Sequence, residues 1–200
     1  MAKKYHAVTG VDLFHYGVLN ENENGIVAEA PERVHFAQNI SVEAPQELVR
    51  AYGDNKVAEL ATSNQPVQVS AQFHRLPQED LDVILGLEKT TNGLSGYGST
   101  DTAPYVAAVF AKTYEDGSTE WVGLPKGKFI KPSSEAATKE DGVTFGSDTI
   151  TAEFIDREVA GFSKTKSVIF GRDEAGKTEA RDAIFLAIFG TAHPDSGLTI

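Results

Sequence analysis

The sequence predicts a mainly β fold of the α+β class, built on a central hairpin with strands and one helix before it and further strands after it. Three observations carry this reading. Phe36–Glu43, Val67–His74 and Ser147–Arg157 alternate between apolar and polar residues, the period of a strand with one buried and one solvated face. Tyr105–Tyr114 is apolar and β-prone with little polar interruption, which suits a strand buried on both faces. Leu76–Gly86 carries the start, the stripe and the stop of a helix.

Taken in order, the chain opens with Tyr5–Leu19, where Gly10 and Gly17 interrupt an apolar run. Glycine inside the pattern favours one or two bent strands over a helix. Asn20–Gly25 (NENENG) is a turn. It imitates the first half of a calcium loop, but the place of the bidentate Glu falls on Pro31, so a solvated turn is the better reading. In Phe36–Glu43, Ile40 and Val42 point one way and Asn39, Ser41 and Glu43 the other. In Val67–His74, Val67, Val69, Ala71 and Phe73 oppose Gln68, Ser70, Gln72 and His74.

Ala44–Pro66 joins these two strands and is too long for an ordinary hairpin loop. It holds Leu48, Val49, Tyr52, Val57 and Leu60. So much apolar material in an exposed loop implies that the loop is buried somewhere, another molecule being one such place. In the helix, Pro77 suits the first position, Gln78-Glu79-Asp80 suits the positive end of the dipole, and Leu81, Ile84 and Leu85 form the stripe. Gly86 supplies a left-handed stop. Thr90–Thr102 is a loop by its Gly and Ser content.

The central hairpin is Tyr105–Tyr114, a turn at Glu115-Asp116-Gly117-Ser118, and a return strand through Trp121, Val122, Leu124, Phe129 and Ile130. Pro125 has no N–H for a ladder, so the return strand lies at an edge or carries a bulge there. Pro132–Asp141 is a polar loop. Ile150, Ala152 and Phe154 then face inward against Thr149, Thr151 and Glu153. Ser167–Phe170 is a short strand, Asp173–Arg181 is charged, and Ala183–Phe189 (AIFLAIF) is either a short helix or a strand. No repeat of solenoid period is present. The whole chain, 1–200, is expected to be one domain, with a distinct C-terminal segment at about 172–200.

Composition narrows the function. The formal net charge is −11 over 200 residues, which opposes non-specific binding to nucleic acid and to anionic membranes. There is no cysteine, so disulfides and thiolate metal sites are excluded. No apolar run approaches the roughly 18 residues of a membrane span. MAKKYHAVTG has a basic pair but no apolar core of a signal peptide, and folding in the cytosol is expected. The five histidines, His6, His15, His35, His74 and His193, show no metal-ligand spacing. Nucleophile-elbow, P-loop and dinucleotide glycine patterns are missing. Lys126-Gly127-Lys128 reads as a solvated strand face, and Trp121 as core or interface. No enzyme activity, cofactor or metal is expected.

The ordered set Leu76-Pro-Gln-Glu-Asp to Gly86, Ala103-Pro-Tyr-Val-Ala, Trp121, Lys126-Gly-Lys-Phe-Ile-Lys-Pro132, Lys139-Glu-Asp and Ile150-Thr-Ala-Glu-Phe154 resembles the phi13-type major tail proteins of long-tailed phages. Gly10–Leu19 and Ala183–Gly190 resemble the same family. The resemblance implies two packed β-sheets, sandwich- or barrel-like, with a flanking helix. It implies a tail tube subunit of the virion that forms stacked hexameric rings and conducts DNA during ejection. It implies tape measure, tail terminator and baseplate proteins as partners, with assembly in the host bacterial cytoplasm.

The same resemblance gives the long loop a role in ring stacking, which by position makes Leu48, Val49, Tyr52, Asp54, Lys56, Val57 and Leu60 the candidate contacts. The polar faces of the two alternating strands carry no Lys or Arg, so Asn39, Ser41, Glu43, Gln68, Ser70 and Gln72 are candidates for the channel wall. The rival readings are a head decoration or head–tail joining protein and a carbohydrate-binding β-sandwich. The latter needs exposed aromatics where these strands show Gln, Ser, Asn and Glu.

Overall fold

The computed structural model describes residues 6–19, 30–53, 56–132 and 146–196. Their strands are β1 (Val8–Val18), β2 (Glu32–Val34), β3 (Ala37–Glu43), β4 (Gln46–Gly53), β5 (Lys56–Asn64), β6 (Val67–Phe73), β7 (Glu88–Lys89), β8 (Ser95–Gly96), β9 (Val106–Tyr114), β10 (Thr119–Ile130), β11 (Asp148–Phe154) and β12 (Ile169–Asp173). The helices are α1 (Gln78–Leu85) and α2 (Glu179–Phe189). The fold is mainly β, as expected from the alternating runs. The turn expected at Asn20–Gly25 and most of the loop expected at Pro132–Asp141 lie outside the described residues.

The packed layers are two arms of one hydrogen-bonded sheet. Its strand order is β2-β1-β9-β10-β11-β6-β3, with β12 branching from β10. β10 is long enough to serve both arms. Its first part, Thr119–Gly123, pairs with β12, and its second part, Gly127–Ile130, pairs with β11. Between them the ladder with β9 breaks from Leu124 to Gly127, around Pro125. This irregularity is the bulge that the proline demanded, and bulges are how strands pass from one packed sheet to another. Gly127 is obligatory at the crossing. A Cβ there would sit 2.5 Å from the Phe154 ring and 2.6 Å from the Glu153 carbonyl oxygen.

The two arms face each other across one core. Phe14 and Tyr16 of β1, Val106, Ala108 and Phe110 of β9, Val67, Val69, Ala71 and Phe73 of β6 and Ile150, Ala152 and Phe154 of β11 meet there. Phe14 and Phe73, on strands that share no ladder, touch edge to face with ring centroids 5.3 Å apart. A second core lies on the other face of β9. It takes Ala107, Val109 and Ala111 from that strand and Ile184, Phe185, Ile188 and Phe189 from α2. The ambiguous AIFLAIF segment is therefore a helix, and it covers the outer face of one arm. The opposite arm, β10-β11-β6-β3, carries no helix on its outer face among the described residues.

Charges that come from elsewhere in the chain hold α2 at both ends. The buried Asp173 carboxylate accepts the N–H groups of Ala180 (2.7 Å) and Arg181 (3.0 Å). Those are orphan donors of the first turn, which Thr178 at the N-cap does not satisfy with its side chain. At the far end Arg157 donates to the carbonyls of Ala187 (3.0 Å) and Ile188 (2.9 Å). Anion at the N-terminus and cation at the C-terminus both match the helix dipole. In α1, Pro77 stands one residue before its expected place, at the N-cap, and Gly86 closes the helix with φ +63°. Asp82 accepts from Gln78 (2.8 Å) and Ser95 (2.7 Å), which ties β8 to α1 and holds its carboxyl below the usual range.

The second core also contains a polar knot. His15 and His193 are buried, with ring centroids 5.6 Å apart and both against Phe185. His15 donates Nδ1–H to the Leu13 carbonyl (2.9 Å). His193 Nδ1 accepts the Asp195 N–H (3.0 Å), so the neutral ring carries its proton on Nε2, which finds no partner. Burial lowers both histidines, His15 to about 4, and Arg33 opposes His15 while Arg181 opposes His193.

These contacts can be tested by stability. Asp173→Ala removes two charge-assisted bonds from a buried helix start and should cost about 1–3 kcal/mol in urea unfolding. Glu174→Ala, which breaks only the exposed pair with Lys177, should stay within about 0.5 kcal/mol of wild type. The histidines set a pH dependence. His15 is neutral when folded and titrates near 6.5 when unfolded, so its contribution is intact above that pH and is lost as pH falls from 6.5 to about 4. The loss is roughly 3 kcal/mol. Asp80, raised by burial, works in the opposite direction. Unfolding free energies of wild type and His15→Gln, compared at each pH, should therefore converge as pH falls. A constant gap between pH 7 and pH 4 would refute the assignment.

Candidate functional site: an exposed arm and a polar sheet face

The connection expected as a long loop at 44–66 carries its own secondary structure. β4 and β5 form a separate two-stranded antiparallel sheet. Every described side chain on it is exposed. Register pairs Leu48 with Thr62, Arg50 with Leu60 and, across a bulge, Tyr52 with Val57. Residues paired across a ladder share a face, so Leu48, Leu60, Tyr52 and Val57 gather on one side of the arm. Their exposures run from 48% to 69%. Val49 lies on the other side, between Glu47 and Ala51. Lys56 is at the tip, paired with Gly53, and Asp54 lies outside the described residues. A lone hairpin is marginal in water, and one with an apolar face is a surface in need of a partner.

The second feature is the outer face of the helix-free arm. β3, β6, β11 and β10 align so that Glu43, Gln68, Glu153 and Lys128 form one row across four strands. Ser41, Ser70, Thr151 and Ile130 form the next, and Asn39, Gln72 and Thr149 the third. All six polar residues singled out in β3 and β6 thus share one surface, and β11 extends it with Thr149, Thr151 and Glu153. Sequence reasoning turns those three outward without joining them to the other six, because strand pairing is not written locally. The face is free of Lys and Arg on β3, β6 and β11. At its β10 margin stand Lys126 and Lys128, whose ammonium groups lie 4.2 and 4.5 Å from the centre of the Tyr105 ring. The pair read as a solvated strand face is a cation–π clamp at the border of the polar surface.

The remaining titratable groups serve packing. The Tyr16 hydroxyl lies within hydrogen-bond distance of both Asp80 (2.8 Å) and Glu32 (3.1 Å) and shares its one proton between them. Burial, then the bond to Asp80, raises the Tyr16 hydroxyl far above its usual range. Among the described residues no group of three His, Asp or Glu could hold a metal ion. None of the described helices is long and apolar enough to cross a membrane.

An arm with one apolar face, a continuous polar sheet face and a helix sealing the opposite side are the marks of a structural subunit that works through its surfaces. Residues 23–191 match the family model of the phage tail tube protein. The chain belongs to that family, and as a tail protein it is a component of the virion. Comparison with curated proteins gives no match.

Proposed function

We propose that this chain is the major subunit of the tail tube, one domain that assembles into stacked hexameric rings and forms the conduit for DNA. The observation that carries the reading is the β4–β5 arm, a free-standing hairpin with four large apolar side chains on one face. Ordering it costs backbone entropy of about 1–2 kcal/mol per residue, which only burial on another surface can offset. In a tube that surface is the neighbouring ring. Leu48, Tyr52, Val57 and Leu60 make the contact, with Lys56 at the tip beside it; Val49, on the opposite face, and Asp54, outside the described residues, are candidates by sequence position only. The subunit carries no catalytic role. It is assembled in the host cytoplasm, around a tape measure protein, and meets the terminator and the baseplate at the ends.

The polar sheet face is the channel wall in this reading. DNA phosphates would bind an inner wall rich in Lys and Arg, and the drag would depend on salt. Asn39, Ser41, Glu43, Gln68, Ser70 and Gln72 offer no cation. Lys128, at the margin, stands opposite Glu153 in register.

Two experiments test the proposal. Replacing 46–64 with a short Gly-Ser linker should leave a folded, soluble subunit that forms no tubes in negative-stain micrographs. Normal tubes from that variant would refute the role of the arm. Ser41→Lys/Gln68→Lys/Ser70→Lys should leave folding and tube formation nearly intact and slow DNA release, most strongly at low salt. Unchanged ejection kinetics, or loss of assembly, would place this face elsewhere.

A further inference from the structure

The stretch that follows α2, residues 191–196, closes one side of the second core. Gly190 stops the helix in the left-handed conformation. The chain then brings the His193 ring among Phe185, His15 and Trp121, with centroids 4.5, 5.6 and 6.3 Å away. The residue is only 5% exposed. It is poorly satisfied there. Its Nε2 has no hydrogen-bond partner among the described residues, and neither has the buried Oγ1 of Thr191. Both groups lose water without a replacement, which weakens the hold of the segment on the core.

Protonation changes what this segment can do. In the neutral ring Nδ1 accepts the Asp195 N–H (3.0 Å), and the His193 carbonyl accepts the Ser196 N–H (2.9 Å), so the segment turns around its own histidine. An imidazolium carries hydrogen on both nitrogens. Its Nδ1–H would meet the Asp195 N–H donor against donor, and that bond would be lost. The Asp195 carboxylate lies 3.9 Å from Nδ1 on a side chain that is 83% exposed. One residue thus offers both partners, its amide to the neutral ring in the core and its carboxylate to the charged ring in solvent.

Burial is the main force that keeps His193 neutral. Arg181 of α2 and Arg33 of β2 add to it, while Asp195 and, on α2, Asp182 act against it. Arg181 is bonded to Asp182 (2.9 Å) and Arg33 to Asp12 (3.3 Å). His15 of β1 stays uncharged until about pH 4. Of the two histidines, His193 is the one that can leave. His15 pairs in register with Arg33 on one side and Val109 on the other, whereas residues 191–196 belong to no strand or helix.

We propose that His193 is an acid-released latch. The neutral ring holds residues 191–196 over the second core, and the imidazolium swings out to the Asp195 carboxylate and uncovers Trp121 and Phe185. Because the neutral form is the buried one, the latch is closed above the ordinary histidine value of 6.5 and opens as pH falls below it. It opens before His15 titrates, so the sheet and α2 stay in place. The latch belongs to the free subunit and does not depend on the tube reading.

Trp121 is the only tryptophan in the chain and reports on the latch. In the purified full chain, lowering the pH from about 7 to about 5 should shift Trp121 emission to the red and open it to acrylamide quenching. Far-UV circular dichroism should stay unchanged, and the His193 ring resonance should titrate in the same step. His193→Gln, which takes up no proton, should abolish the step, and His15→Gln should leave it in place. Asp195→Asn keeps the amide bond and removes the carboxylate, so its midpoint should fall by a few tenths of a pH unit. The latch is refuted if the step survives in His193→Gln, or if wild-type emission and circular dichroism change together. An unchanged midpoint in Asp195→Asn refutes it as well, and that exposed substitution decides the matter where His193→Gln does not fold.

Discussion

Burial of β9 on both faces is the constraint on which the rest of the structure depends. Val106–Ala111 have no solvent exposure, and successive residues go to different cores. Val106, Ala108 and Phe110 enter the space between the sheet arms. Ala107, Val109 and Ala111 enter the space under α2. The sizes are matched to what lies opposite. The α2 side is lined by small residues, and that lets Phe185 and Phe189 come in close, while Phe110 reaches into the wider gap between strands. A slip of one residue would send Phe110 toward the helix and leave alanine facing the larger core, so neither layer could tolerate it.

What can be read from the chain follows from how local each cause is. β3, β6 and β11 alternate because each has one solvated face, and that pattern survives in the residues themselves. β9 is legible as an unbroken apolar run, Pro125 as a bulge and Gly86 as a left-handed stop. The arm is hidden for the opposite reason. Both of its faces are in solvent, so no burial imposes alternation, and the bulge at Ala51/Tyr52 breaks what pattern there is. Its apolar content is visible, its hairpin is not. α2 is ambiguous because its capping groups, Asp173 and Arg157, belong to other segments, and its local N-cap side chain makes no capping bond. The His15–His193 contact joins residues at opposite ends of the chain, and no local pattern foretells it.

The two outer faces of the subunit differ for a reason that also lies in the core. β1, β9, the first part of β10 and β12 present mostly apolar residues outward, among them Leu13, Ala107, Val109, Trp121 and Ile169, and α2 seals that surface. β3, β6 and β11 present Asn, Ser, Gln, Thr and Glu outward, whose hydrogen-bonding needs water satisfies. One arm must be covered and the other can stay bare. The bare arm is polar and continuous over four strands, which is a surface that needs no partner to be stable.

The fork in β10 links these features. Because β10 leaves β12 at Gly123 and joins β11 at Gly127, the two arms diverge on one side of the core, and a groove bounded by Val42, Val67, Val122 and Val168 opens there. The bulge depends on Pro125, which cannot complete the ladder, and on Gly127, which alone allows Phe154 and the Glu153 carbonyl to approach so closely. Phe154 in turn packs edge to face on Phe129 and fixes the register that aligns Glu153 with Lys128. The alignment of the polar rows and the opening of the groove are thus consequences of one local irregularity. A side chain at Gly127 would have to push β11 away from β10. That displacement would narrow or widen the groove and shear the polar face at the same time, so the two surfaces cannot vary independently in this fold.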